Sequence, residues 1–206
     1  MKKKLKIKVC GMREKSNIQA LSALPIDYIG FIFYAKSSRF VEENIAIDIP
    51  SSIQKVGVFV NATFEEIKKK VEDHNLQVVQ LHGDESPELC KLIKNLGLTT
   101  FKAFGIDDDF EWDSISAYED VVDYFLFDTK SKAYGGTGQT FNWDKLRDNP
   151  YQKPYLLSGG ISIDNIREAA TFEDDRLIGL DLNSKFESSP ALKNIDLLTQ
   201  ALSSIQ

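Results

Sequence analysis

Cysteine, histidine and methionine each occur only twice in the 206 residues, and no stretch approaches the run of about 18 apolar residues that a membrane-spanning helix needs. The two cysteines, Cys10 and Cys90, are too few for a disulfide framework, so reduced thiols are expected. The lysine-rich start runs into the alternating strand pattern KIKVC and lacks the unbroken apolar core of a secretory leader, which points to a cytoplasmic protein. There is no CxxC, no HExxH and no other clustered ligand set, so no metal site is expected. Neither a Walker loop nor a GxSxG turn occurs, which sets aside P-loop and α/β-hydrolase chemistry. A large excess of one charge is missing too: 25 basic against 31 acidic side chains leave a formal charge of −6, with no run of five like charges. Nucleic acid and anionic membranes are therefore not expected as partners, whereas small anions remain open through local sites.

What is present suffices for one sizeable core. The chain is 42% hydrophobic, and its length is that of one domain or at most two. Short β-branched or aromatic runs alternate with segments of helical period. Strands are expected at Leu5 to Cys10, Tyr28 to Phe33, Val56 to Val60, Val78 to Gly83, from Thr99, at Tyr124 to Asp128, at Tyr155 to Gly160 and from Leu177. Helices are expected between them at Glu14 to Leu24, Glu42 to Asp48 and Asp108 to Tyr118, with a short one at Asn142. Thr63 with Glu66 reads as a capping box above the apolar face Phe64, Ile67 and Val71. Ser86 and Pro87 read as N-cap and first residue of a helix packing Leu89, Ile93 and Leu96; Ser162 reads as a cap, and Pro190 as the start of a last helix. Leu192, Ile195, Leu198 and Leu202 fall on one face of that helix.

Eight β-then-α units with no Pro-, Gly- or Ser-rich break predict a single-domain (β/α)8 TIM barrel over residues 1–206. Continuous apolar strands favour a parallel sheet buried on both faces. The rival is a doubly wound open sheet, which would more typically carry a glycine fingerprint after strand one, where this chain reads CGMRE.

In such a barrel the reactive groups stand at the C-terminal ends of strands. Cys10 ends strand one and Asp128 ends strand six, so a thiol and a carboxyl meet at one end, as needed for one group to take a proton while another gives one. Each also has a plainer reading, Cys10 as a buried small hydrophobe and Asp128 as a loop cap. The turn Ser158, Gly159, Gly160 after strand seven and the turn Asn183, Ser184, Lys185 after strand eight stand where barrels frequently hold phosphate. Arg39 could pair a carboxylate with bidentate geometry or be an ordinary loop arginine. His82 is a weaker candidate that could simply satisfy a carbonyl. Cys90 is expected in the core and His74 at the surface. Strand alternation turns Lys8 inward one layer below Cys10, at about 6 to 7 Å, where an ammonium would favour the thiolate.

The segments KVCGMR, GFIFYAKSSRF, VGVFVN, VVQLHGDE, FDTKSKAYGGTGQTFNW and LLSGGI, in that order, closely resemble the phosphoribosylanthranilate isomerase family of tryptophan biosynthesis. The resemblance covers nearly the whole chain. It implies Cys10 as general base, Asp128 as general acid and Arg39 as partner of the anthranilate carboxylate. It also implies that the loop Gly135, Gly136, Gly138, the SGG turn and the strand-eight loop hold substrate phosphate or close over the site, with His82 among the substrate-binding residues. An Amadori rearrangement of a phosphorylated sugar is implied, needing no cofactor, in a monomer or homodimer. The related aminoaldose isomerases of histidine biosynthesis would carry a carboxylate rather than Cys10, and a metabolite-binding barrel without turnover is the other alternative. One departure stands out: the family commonly has glycine where Lys185 stands, and glycine accepts φ > 0 cheaply whereas lysine does not.

Overall fold

The computed structural model describes residues 4–42, 47–130 and 140–205. In chain order they form β1 (Lys6–Cys10), α1 (Lys15–Leu21), β2 (Tyr28–Ile32), β3 (Gln54–Phe59), α2 (Phe64–His74), β4 (Val78–Leu81), α3 (Pro87–Lys94), β5 (Thr99–Ile106), β6 (Tyr124–Thr129), β7 (Tyr155–Leu157), α4 (Ile166–Ala170) and β8 (Leu177–Leu182). A small antiparallel hairpin follows, β9 (Glu187–Ser189) with β10 (Leu192–Lys193), and then α5 (Ile195–Ser203). Strands β1 to β8 pair in parallel, each with its neighbours in sequence, and β1 closes the ring on β8 with Lys8 opposite Asp181. This is the eight-stranded closed barrel that the strand pattern predicts, not an open sheet.

Alternation along each strand sorts side chains between two apolar clusters. Tyr28, Val56, Val58, Val78, Phe101, Ala103, Leu126 and Leu156 fill the barrel interior together with Cys10. Val9, Ile29, Phe59, Val79, Phe125, Phe127 and Tyr155 point outward into the layer between sheet and helices. The interior is thus largely apolar, with the buried pair Lys8 and Asp181 as charged groups within it. Among the described residues no helix is long and apolar enough to cross a membrane.

Local signals decide several elements. At the start of α2 the Thr63 hydroxyl accepts from the Glu66 amide while the Glu66 carboxylate accepts from the Thr63 amide, both halves of the expected capping box. Ser86 caps α3 with Pro87 as its first residue. Four expectations need correction. Pro190 does not start the last helix: Ala191 has φ of 68°, Leu192 is exposed in β10, and the Asn194 side chain caps α5 instead. Ser162 lies one turn too early, since α4 begins at Ile166; its hydroxyl accepts from Asp164 while Asn165 accepts its amide. The segment before Tyr118 is a 3-10 helix, Trp112–Tyr118, rather than an α-helix from Asp108. Leu96 is exposed, and α3 buries Cys90 and Ile93. The helix expected at Glu42 to Asp48 falls largely on residues 43–46, outside the described residues, and its described ends are not helical.

Candidate active site

Cys10 ends β1 with its side chain inside the barrel and 4% of its surface exposed. It fits because its neighbour on β2 is glycine: a Cβ on Gly30 would lie 2.8 Å from the Cys10 Sγ. Lys8 lies beneath it on the same face, as alternation predicts, but its charge is not free to act on the thiol alone. The fully buried Lys8 Nζ donates to both carboxylate oxygens of Asp181, at 2.9 Å each. Burial pushes the Cys10 thiol up; Lys8 and Lys193 pull it down, Asp181 pushes it up, and the net direction is upward. Lys8 favours the thiolate as expected, but burial outweighs it, and Asp181, a carboxylate that sequence spacing does not reveal, opposes it. Cys90, the other thiol, is buried in the helix layer as expected and is pushed up to about 12 by desolvation.

Directly after Cys10 the chain turns at Gly11, with φ of 79°, and a Cβ there would strike Arg39 Cδ at 2.6 Å and Asn183 Oδ1 at 2.9 Å. Only glycine lets the β2 loop and the β8 loop converge over the thiol. Arg39 meets Glu187 of β9 in a fork: Nε donates to Oε1 at 2.9 Å and Oε2 at 3.1 Å, and Nη2 donates to Oε2 at 2.7 Å. The same carboxylate accepts from Lys193 Nζ and from the Ala191 amide. Lys193 Nζ also donates to Asn183 Oδ1 at 2.8 Å. Arg39 and Lys193 hold Glu187 below the usual carboxylate range against burial, and burial pulls the Lys193 ammonium down.

Asp128 lies in the same interior at the end of β6. Its Oδ1 accepts from the Thr129 amide at 2.8 Å, and Oδ2 stands 3.3 Å from His82 Nε2. His82 is in turn held by buried Gln80 of β4, whose Nε2 lies 2.8 Å from Nδ1. With the Gln80 amide turned so that Nε2 donates to Nδ1, the ring proton lies on Nε2, facing Asp128. His82 thus pairs with the carboxyl rather than with a local carbonyl.

Gly159 crosses Asp128 closely: a Cβ would lie 2.9 Å from Asp128 Oδ1 and 2.6 Å from the Thr129 amide nitrogen. Gly159 and Gly160 have φ of 86° and 65°, while the Ser158 amide is committed to the Phe127 carbonyl at 2.8 Å. Of the SGG turn, therefore, the two glycines and not Ser158 can present amides to a ligand. After β8, Ser184–Phe186 forms a single 3-10 turn with Asn183 at φ of −145° and Lys185 exposed. Lys185 is not among the positive-φ residues, so the strain expected from replacing glycine is not incurred.

Gly135, Gly136 and Gly138 lie outside the described residues. His74 is corrected from surface to buried: its ring sits 4.7 Å from that of Phe33, and burial pushes the imidazole down. Among the described residues no three His, Cys, Asp or Glu side chains cluster as metal ligands would. Asp181, Glu187, Lys193 and Gln80 are the site groups that sequence reasoning missed. Only Asp181 left a signal, a carboxylate in the apolar strand LIGLDL directly before the candidate NSK turn.

The family profile described as N-(5'-phosphoribosyl)anthranilate (PRA) isomerase matches residues 7–203. The N-(5'-phosphoribosyl)anthranilate isomerase of Parabacteroides distasonis is 47% identical over 204 residues, covering 97% of this chain and 92% of its own. The crystal structure of the phosphoribosyl anthranilate isomerase of Thermotoga maritima superposes with a TM-score of 0.85 at 30% identity, covering 98% of each chain. A further structure, of such an isomerase in complex with reduced 1-(o-carboxyphenylamino)-1-deoxyribulose 5-phosphate, gives a TM-score of 0.81 at 27% identity over 98% of each chain.

Proposed function

The chain belongs to the N-(5'-phosphoribosyl)anthranilate isomerase family, and we propose that this tryptophan-biosynthesis enzyme runs its Amadori rearrangement with Cys10 as general base and Asp128 as general acid. The observation that carries this reading is the placement of a thiol on β1 and a carboxyl on β6, both facing the same end of one closed barrel.

The substrate is an N-glycoside of anthranilate on ribose 5-phosphate. Asp128 gives its proton to the furanose ring oxygen; the C1′–O bond breaks and an iminium forms at C1′. Cys10 as thiolate then takes the proton from C2′, the C2′–H electron pair closes a C1′–C2′ double bond, and the resulting enolamine tautomerises to the aminoketose. Hydrogen moves within one carbon skeleton, so the overall reaction consumes no oxidant or reductant. The iminium carries positive charge beside Cys10, which favours thiolate when the base is needed. On the opposite wall His82 donates through Nε2, steadying the carboxylate left after proton transfer.

Arg39 holds the anthranilate carboxylate, and the amides of Gly159 and Gly160, with the turn Asn183, Ser184, Lys185, hold the phosphate. Gly159 and Gly160 leave their amides unobstructed by side chains, which suits an approach by phosphate oxygens. A coupled assay following loss of substrate fluorescence tests the whole reading. Catalytic, not stoichiometric, loss is expected, and Asp128→Asn should keep ligand affinity while abolishing turnover. Full turnover by a folded Asp128→Asn protein would end the acid assignment.

A further inference from the structure

A guanidinium offers two forked edges, Nε with Nη2 and Nη1 with Nη2. In Arg39 the first edge is taken by the Glu187 carboxylate. Among the described residues no acceptor is bonded to Nη1, so the second edge is open. Glu187 is itself anchored on both oxygens, by Arg39, Lys193 and the Ala191 amide. Its side chain is 4% exposed and that of Lys193 0%. The hairpin carrying both is tied to α1 by a reciprocal pair: Asn17 Nδ2 donates to the Lys193 carbonyl at 2.9 Å and Asn17 Oδ1 accepts the Lys193 amide at 2.7 Å.

From this we infer that Glu187 and Lys193 are positioning residues for the isomerase reaction: Glu187 locks the inner edge of Arg39 so that its outer edge presents two parallel N–H groups to a substrate carboxylate, and Lys193 cancels the charge that Glu187 would otherwise bring to an anion site. The inference rests on the isomerase reading and deepens its carboxylate subsite. Two cations around one carboxylate leave a surplus positive charge, so the cluster attracts an anion while the arginine is prevented from swinging. A long arginine side chain loses conformational freedom once, on folding, instead of at each binding event. The hairpin is thus a clamp brought from the far end of the chain to the β2 loop.

Charge and position make opposite forecasts for Glu187→Gln. Removing a negative charge beside an anion site would tighten anthranilate by Coulomb attraction alone. Loss of the lock would weaken it. Anthranilate, followed by its own fluorescence, and inorganic phosphate are titrated separately into the intact parent, Glu187→Gln and Glu187→Asp, the last keeping charge while shortening the reach and serving if the Gln variant does not fold. The expected result is anthranilate binding weaker by about tenfold, the size of one charge-assisted hydrogen bond, with phosphate binding unchanged and KM raised far more than kcat is lowered. In an Arg39→Ala background, Glu187→Gln should change anthranilate binding no further. Tighter or unchanged anthranilate binding in Glu187→Gln, equal weakening for both ligands, or a further loss without Arg39 would overturn the clamp, as would a parent that binds no anthranilate. A parent that binds anthranilate but turns over no substrate would instead end the isomerase reading.

Discussion

Of the buried lysine–carboxylate pairs among the described residues, two stand on opposite faces of the barrel wall, and they differ in what surrounds them. Lys102 and Glu85 lie outside the sheet at 3.2 Å, with side chains 2% and 1% exposed. That pair is tied to backbone: Lys102 Nζ donates to the Gly83 and Ala103 carbonyls, and Glu85 accepts from the Asn61 and Gly83 amides; the thiol it acts on, Cys90, is packed in the helix layer and pushed up mainly by burial. The pair fastens the loops after β3 and β4 to β5. Lys8 and Asp181 lie inside, at 2.9 Å, and apart from each other they act on the Cys10 thiol, one pulling it down and one pushing it up. Both pairs act on a thiol, but the outer one fastens loops around a cysteine packed in the helix layer, whereas the inner one lies beneath the thiol at the strand end of the barrel. Removing one partner of a buried pair typically costs about 3–5 kcal/mol, so both are costly to break; only the inner one should also change chemistry.

The largest effect expected is on the group the inner pair acts upon. Cys10→Ser should fold and lose about 10² to 10⁴-fold in kcat, the usual worth of a general base, and a folded protein with near-parent turnover would remove the reason for the contrast. Next comes the outer pair: Lys102→Met should lower stability by about 3–5 kcal/mol in denaturant unfolding while the folded fraction keeps parental kcat. A change in its pH profile would show that the outer pair also reaches the site.

Lys8→Met sharpens the contrast through pH. Because the folded thiol sits above its ordinary value of 9.0, thiolate and with it kcat/KM should still be rising with pH beyond that point in the parent. Removing the strongest downward pull should displace this rise further to alkaline pH, and the same substitution in a Cys10→Ser protein should leave the residual profile unmoved. The stability that the raised thiol contributes has the matching sign: it is present below the unfolded value and lost as pH climbs through the folded one. The smallest effect belongs to exposed Lys185. Lys185→Ala should raise KM a few-fold, with kcat kept, if its charge reaches phosphate; identical inorganic phosphate inhibition in parent, Ala and Gly variants would assign it to solvent.

Strand order, closure and the strand-end Cys10 and Asp128 were legible because each follows from local pattern: apolar runs, a capping box, a glycine beside a thiol. What was not legible depends on partners far apart in sequence. Lys8 shows its inward direction through alternation, but its neutraliser, Asp181, arrives only through the β1–β8 closure. Pro190 looks like a helix start because proline suits that position, yet Ala191 at positive φ and the Asn194 cap shift the helix onward. His74 reads as a surface residue by its polarity, yet it lies seven residues after Ile67, on the same buried face of α2, with its ring 4.7 Å from that of Phe33. Arg39 could be singled out as a fork for a carboxylate, but no spacing rule ties it to Glu187, which lies 148 residues away.

That separation sets an order of events during synthesis. Cys10 leaves the ribosome early, while Asp181, Glu187 and Lys193 follow more than 170 residues later, a delay of roughly 10 to 40 seconds at 5–20 residues per second. Until β8 arrives, β1 lacks one of its two neighbours, Lys8 lacks its carboxylate, and the thiol lacks the burial that keeps it protonated. The nascent chain therefore carries an open thiol beside an unpaired ammonium, a combination that lowers thiol pKa and invites oxidation. A ribosome-stalled chain ending before Leu177 should accordingly be alkylated at Cys10 much faster than the finished protein, so the last barrel strand to be made both closes the ring and covers the thiol.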